Sequence, residues 1–181
     1  MKAPIVYQDR EKELTIRFPT MKDVSAMLDY INTLSREKTF TRSQGEQLTL
    51  DHEKIYLKTL LEKIAQKESF CLLVFHQKTL IGVAGIAMRD RVEKHVGILG
   101  ISLSKDFRGM GLGTLLMDIL EKEGKLFLPQ LKIIILEVFS NNTTGLNLYK
   151  KMGYKEYGKL PEGVLYKRRY VDLILMYKKV K

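Results

Sequence analysis

The sequence predicts an α/β (α+β) fold: one mixed, mostly antiparallel sheet of about seven strands, flanked by about four helices. Three observations predict it. Short apolar runs alternate with helical repeats in the order β-α-α-β-β-β-α-β-α-β-β. Residues 70–103 hold three strand-like runs in succession, so the middle of the sheet is antiparallel. Residues 95–139 read strand, helix, strand, which calls for a parallel pair joined by a right-handed crossover.

The elements follow in chain order. "LTIRF" (14–18) alternates and reads as a strand. Thr20, after Pro19, can cap a helix, with Asp23 three residues on as a short capping box. Val24, Met27, Leu28, Ile31 and Leu34 then recur at helical spacing. Residues 36–48, "REKTFTRSQGEQL", are polar and irregular. A second helix spans roughly 51–67, with Leu57, Leu60, Leu61 and Ile64 on one face. "FCLLVF" (70–75), a turn near Gln77–Lys78 and "TLIGVAGIAM" (79–88) form a hairpin. The polar "RDRVEK" (89–94) leads into the strand "HVGILGISL" (95–103).

Three glycines, Gly109, Gly111 and Gly113, then open a helix over 111–128. Its buried stripe is Leu112, Leu115, Leu116, Ile119 and Leu120, with Asp118, Glu121 and Lys122 facing outward. "KIIILEVF" (132–139) is nearly continuous in apolar character, which predicts burial on both faces. Residues 140–153 are a short helix with asparagines before it and Gly153 to end it. "YKEYGKL" and "YVDLILMYK" supply the last two strands.

Glycine costs about 1 kcal/mol relative to alanine inside a helix, so three at a helix start need a reason. Glycine has no side chain to hold a ligand away, and it accepts unusual dihedrals. The first N–H groups of a helix lack partners and that end is partly positive, so the turn suits phosphate. A tight turn with no ligand is the alternative. The spacing is Gly-x-Gly-x-Gly, not the dinucleotide G-x-G-x-x-G, and no Gly-Lys-Ser/Thr follows as in a Walker motif.

Composition bounds the function. The 181 residues suit one domain, 1–181, and 45% hydrophobic residues suffice for a real core. Cys71, the single cysteine, sits in an apolar run and reads as a small buried hydrophobe; it excludes an internal disulfide. No Cys/His cluster suggests a metal, and no serine stands in a nucleophile elbow. The charged N-terminus is not a signal peptide and no apolar run approaches about 18 residues, so the cytoplasm is the default compartment and no membrane partner is expected. A net charge of +10 favours anionic partners, nucleic acid or a polyanionic small molecule. The densest basic group is Lys167, Arg168 and Arg169.

"RGMGLG" (108–113) resembles the Arg/Gln-x-x-Gly-x-Gly/Ala pattern of the GNAT N-acetyltransferases. "NTTGLNLYKKMGY" (142–154) resembles that family's second signature, Asn-x-x-Ala-x-x-Leu-Tyr-x-Lys-x-Gly-Phe, with Gly145 for the usual Ala and Tyr154 for the usual Phe. The order of elements fits from Leu14 to Tyr177. The resemblance implies the GNAT fold, with a splayed parallel pair near 101–104 and 137–140. It also implies acetyl-CoA as co-substrate, with no metal. Backbone at Ile101, Ser102 and Leu103 would lie along pantetheine, with an N–H near Ser102–Leu103 bonded to the acetyl carbonyl. The N–H groups of Gly109, Met110, Gly111, Leu112, Gly113 and Thr114 would hold the pyrophosphate, with Arg108 adding charge. Tyr149 would protonate the departing thiolate, and Asn142 would cap its helix or bond the pantetheine arm. Lys151 reads as a surface lysine.

No base is assigned among Glu93, His95 and Glu137. The expected activity is acetyl transfer to a primary amine of a small molecule. Acetylation of a protein N-terminus or lysine, or a non-catalytic basic module binding CoA or nucleic acid, are the alternatives; nucleic acid is the weaker partner. Residues 36–50 would wall the acceptor site. The basic chain disfavours polyamines unless Glu46, Asp51 and Glu53 reverse the local charge. The oligomeric state stays open, a homodimer included.

Overall fold

The computed structural model describes residues 5–9 and 12–180. The strands are β1 (Ile5–Asp9), β2 (Leu14–Arg17), β3 (Ser69–His76), β4 (Thr79–Met88), β5 (Val96–Leu103), β6 (Ile133–Phe139), β7 (Lys155–Tyr166) and β8 (Arg169–Lys179). The helices are α1 (Val24–Arg36), α2 (Leu50–Ala65), α3 (Leu112–Phe127) and α4 (Thr143–Lys151). All eight described strands join one sheet in the order β1-β2-β3-β4-β5-β6-β8-β7. The sequence reading had one strand fewer: β1 is short and lies in a charged stretch with no clear alternation. No helix among the described residues is long and apolar enough to cross a membrane.

The expected parallel pair is present but brief. β5 and β6 match only at Val96↔Ile133, Gly97↔Ile134 and Ile98↔Ile135, and every other strand pairing is antiparallel. α3 crosses one face of the sheet through Leu112, Leu116, Ile119 and Leu120, with Leu115 only partly buried and Met117 fully so. α1 and α2 cover part of the other face, packing Met27, Tyr30, Leu34, Leu57 and Leu60 against Cys71, Leu73 and Phe75. Each such side chain, fully buried, contributes roughly 1.5–3 kcal/mol.

Two expectations change. β6 is not buried on both faces: Ile134, Leu136 and Val138 are buried, while Ile133, Ile135 and Phe139 are half-covered and Glu137 is exposed. The apolar run hid this because isoleucine occupies both faces, and the α1–α2 layer stops short of β6. Glu121 does not face solvent. Its carboxylate accepts from Lys178 Nζ at 2.5 Å, and that ammonium also donates to the Met152 carbonyl at 2.7 Å, tying β8 to α3 and to the end of α4. Asp118 and Lys122 are exposed as expected.

The predicted Thr20–Asp23 box forms, but it caps a 3-10 turn, Met21–Asp23, that leads into α1, whose own N-cap is Asp23. The Thr20 N–H and hydroxyl both donate to the Asp23 carboxylate, at 2.7 and 2.9 Å. Arg17 closes on the same carboxylate with two hydrogen bonds, at 2.7 and 2.9 Å.

Candidate active site

Beyond Ile98 and Ile135 the parallel strands part. Alternation along β5 puts Leu99 on the α3 side and Ile98, Gly100 and Ser102 on the other. On β6, Leu136 and Val138 face α3, and Glu137 and Phe139 face away. A cleft of about 1070 Å³ is lined by residues of both faces: Leu99, Val138 and Tyr149 from one, Gly100, Ser102 and Glu137 from the other. The cleft therefore runs through the sheet at the parting. It is roomy enough for a small-molecule site.

The ladder decides which backbone groups face that gap. Val83 pairs with Ser102, and the Ser104 N–H donates to the Ile81 carbonyl at 2.8 Å. Antiparallel ladders alternate, so Gly100, Ser102 and Ser104 spend their N–H groups on β4. The N–H groups of Ile101 and Leu103 point to the β6 side, past the last parallel pair. In this stretch only Ile101 and Leu103 can offer an N–H to the gap; the Ser102 N–H is committed to β4.

The glycine turn has the geometry of a cradle. Gly111, the N-cap of α3, has φ 82°, and Gly109 has φ 76°, both left-handed values that glycine adopts freely. A Cβ at either would meet nothing within 4 Å, so packing within the chain does not demand glycine there. The open space is what a close-approaching ligand would fill. The first ladder bond of α3 runs from the Leu115 N–H to the Gly111 carbonyl, which leaves the N–H groups of Leu112, Gly113 and Thr114 directed out of the helix end. Met110 projects into solvent. Arg108 is engaged elsewhere: its Nε donates to the Leu103 carbonyl at 2.9 Å and its guanidinium pairs with Glu37 at the end of α1.

Tyr149 comes to the cleft from α4 and is nearly buried, and burial pushes its phenol up to about 12. Asn142 also lines the cleft, and its Oδ1 accepts from the Gly145 N–H at 3.0 Å, the helix cap. A Cβ at position 145 would lie 2.7 Å from Asn142 Nδ2, so glycine there lets the asparagine fold over the first turn. Glu137 lines the cleft and pairs with Arg42 at 2.5 Å. Glu93 instead pairs with Arg89 at 2.5 Å, and His95 is exposed outside the cleft lining. Cys71 is buried, its thiol pushed up to about 12, which removes it as a nucleophile.

Sequence reasoning missed Tyr30. It is buried on α1 and its hydroxyl donates to Ser102 Oγ at 2.9 Å. Its position between Met27 and Leu34 on the buried stripe was the available signal. Also missed was an aromatic cluster at the cleft wall. Phe40 stacks on Tyr166 with centroids 5.1 Å apart, and both rings meet Phe139. Among the described residues no cluster of His, Cys, Asp and Glu has the makings of a metal site.

Comparison with solved structures finds the same fold widely. A GNAT-family acetyltransferase from Streptococcus pneumoniae is 27% identical over 93% of this chain and 100% of its own, with a TM-score of 0.84. A ribosomal-protein-S5-alanine acetyltransferase from Vibrio fischeri is 18% identical over 97% of this chain and 96% of its own, with a TM-score of 0.77. A ribosomal L7/L12 α-N-protein acetyltransferase in complex with coenzyme A is 13% identical over 98% of each chain, with a TM-score of 0.76. No match is found among curated proteins. The acetyltransferase (GNAT) family matches residues 30–154. That span runs from α1 through Tyr154, taking in both strands of the parting, the glycine cradle and α4, and on this match the chain belongs to the GNAT acetyltransferase family.

Proposed function

We propose that the chain transfers the acetyl group of acetyl-CoA to the primary amine of a small molecule. The observation that carries the reading is that Tyr149, Glu137 and the unpaired edge of β5 all open onto one cleft. The cradle at 109–114 fits a pyrophosphate, because two left-handed glycines leave open space beside three outward helix N–H groups. The fold neighbour that holds coenzyme A supports that fit. When bound, acetyl-CoA supplies an activated acyl carbon.

The chain's own groups do the rest. The N–H of Ile101 or Leu103 stabilises charge on the acetyl oxygen, where a preorganised donor is worth about 3–4 kcal/mol. Glu137, the one carboxylate among the described lining residues, takes the proton that the amine must lose. An alkylammonium of pKa about 10.4 costs roughly 4–5 kcal/mol to deprotonate at pH 7, so an acceptor in the cleft matters. Tyr149 holds the proton that the departing sulfur needs.

The aromatic contact favours a small acceptor over an extended protein chain. Phe40, in the segment between α1 and α2, stacks across to Tyr166 on β7 and bridges the two walls on the acceptor side. A screen of small amines and N-terminal peptides, read by release of free CoA thiol, tests this. Acetylation of at least one small amine is expected. Acetylation of peptides alone would overturn the small-amine reading.

A further inference from the structure

We infer that the acceptor amine carries a planar apolar body, which lies flat on the bare backbone of β5 at Gly100; the inference rests on the small-amine reading above.

The two substrates of that reaction reach the parting from opposite faces of the sheet. The glycine cradle opens α3, and Leu112 and Tyr149 both belong to the core on the α3 side. Acetyl-CoA held there leaves the other face to the acceptor, where Glu137 stands. On that face α2 packs Leu57 and Leu60 with Cys71 and Leu73 of β3. Farther across the sheet the cover stops. Ile98 is 43% exposed in mid-sheet, and Ala87 and Gly100 are exposed beside it.

The strand register lines up small residues on this bare face. Cys71 pairs with Gly85 and Gly85 with Gly100, so the three form one row across β3, β4 and β5. Gly100 and Glu137 each stand two residues beyond the last parallel pair, Ile98↔Ile135, one on each side of the parting. The row therefore leads to the carboxylate proposed above as proton acceptor.

The two glycines of the row differ in kind. A Cβ at Gly85 would come 2.8 Å from the Phe70 carbonyl oxygen, so the chain itself needs glycine there. A Cβ at Gly100 would meet nothing within 4 Å, and its φ is not left-handed. Glycine weakens a strand interior, and one use of it there is to let a ligand approach closely. At Gly100 neither the backbone nor a neighbouring side chain asks for glycine, and the residue lines the cleft.

The floor's shape selects the shape of what lies on it. Ile98 and Ser102 flank Gly100 on the same face, about 13 Å apart along the strand. Gly85 widens the bare strip by a second strand, about 5 Å away. That floor is too broad to grip a single extended chain. A planar ring touches it with all its atoms and a puckered ring with about half, and dispersion rewards the difference. The walls add apolar contact, Tyr56 of α2 at one end and Phe40 and Phe139 at the other.

The experiment compares kcat/KM for phenethylamine, 2-cyclohexylethylamine and octylamine, which share one carbon count and differ in shape. Phenethylamine is expected to lead both others by about tenfold. Gly100→Ala should raise its KM about fivefold and Gly100→Val further, because each added carbon lifts the ring from the floor. Both variants suit a strand better than glycine does, so the melting temperature should hold or rise. Acetyl-CoA affinity, read by calorimetric titration, should stay native. Equal rates for the three amines, or a lead for octylamine or 2-cyclohexylethylamine, overturn the inference and leave the small-amine reading standing. So does an unchanged phenethylamine KM in both variants. A fall in acetyl-CoA affinity that matches the rise in KM overturns it as well, since Gly100 then borders the thioester and not the acceptor. If acetyl-CoA binds and peptides alone are acetylated, the small-amine reading fails and this inference falls with it.

Discussion

The Tyr30 hydroxyl donates to Ser102 Oγ across 2.9 Å and so fastens α1 to β5 beside the point where β5 leaves β6. The Glu37–Arg108 pair makes a second tie from the end of the same helix to the base of the glycine turn. The segment between α1 and α2, which the proposed function places at the acceptor, begins directly after Glu37. Tyr30→Phe keeps the ring and removes the bond. A net loss of about 1 kcal/mol is expected, which lowers the melting temperature by roughly 2–4 °C in a domain of this size. The acceptor KM should rise while acetyl-CoA affinity stays close to native. An unchanged melting temperature together with an unchanged acceptor KM would show that the tie holds nothing.

Gly111 separates two effects that one substitution would confuse. Its φ of 82° strains any other residue, but its Cβ direction is empty. Asparagine tolerates the left-handed region better than leucine does. Gly111→Asn and Gly111→Leu should both fold, with leucine costing about 1–2 kcal/mol through the backbone. Calorimetric titration with acetyl-CoA should show at least about tenfold weaker binding for leucine than for asparagine, because the larger side chain occupies the cradle. Equal affinity in the two variants sinks the pyrophosphate assignment.

These residues also show what the sequence could and could not convey. The strand–helix–strand unit, the glycine turn and the α4 signature were legible because each is local: period, cap and spacing lie within about twenty residues. The covering of β6 was not legible, since it depends on how far α1 and α2 extend across the sheet. Glu121 looked outward by helical phase, yet Lys178 from the far end of the chain reaches it. Tyr30 and Ser102 are 72 residues apart, and neither carries a local sign of the other. Glu137 could be named from sequence only as one carboxylate among several. Its place in the cleft, and the absence of Glu93 from it, follow from the pairing of β5 with β6.

The Arg17–Asp23 pair predicts an acid-sensitive contribution to stability. Burial alone would raise the Asp23 pKa, but the hydrogen bonds from Arg17 and from Thr20 outweigh it and hold the carboxyl below its ordinary value. The native state therefore binds fewer protons than the unfolded chain near that value. The stabilisation is complete above the unfolded pKa of about 4 and is lost as pH falls through the native one. Asp23→Asn should cost about 1–2 kcal/mol at pH 7, since it removes a charge-assisted pair from a half-buried guanidinium that keeps its bond to the Phe18 carbonyl. Urea melts at pH 7 and about pH 3 should show the gap between native and variant narrowing in acid. A gap that stays constant across that range rules out the ion pair as its source.

Tyr149→Phe is the direct test of the proton donor. The substitution keeps the ring and its contact with Tyr154, whose centroid lies 6.1 Å away, so the melting temperature and acetyl-CoA affinity should stay near native. Free tyrosine and a free thiol differ by about 1.5 pKa units, or roughly 2 kcal/mol, against full proton transfer. Burial raises the phenol to about 12, which by itself would widen that gap. Protonation must therefore accompany C–S cleavage and not follow it, which avoids the cost of full transfer to a free thiolate. A general acid is worth about 10²–10⁴ in rate, and a thiolate is a fair leaving group, so a drop near 10² is expected under single-turnover conditions. The pH dependence adds an independent check. The donor works when protonated, and a raised pKa keeps it protonated as pH rises. Between pH 7 and about pH 10 the native rate should climb as the amine loses its proton, with no alkaline fall. The Tyr149→Phe variant should run parallel to it and lower. Full activity in the variant refutes the acid role. An alkaline fall below about pH 10 that disappears on substitution would place the phenol at an ordinary pKa and remove the burial argument.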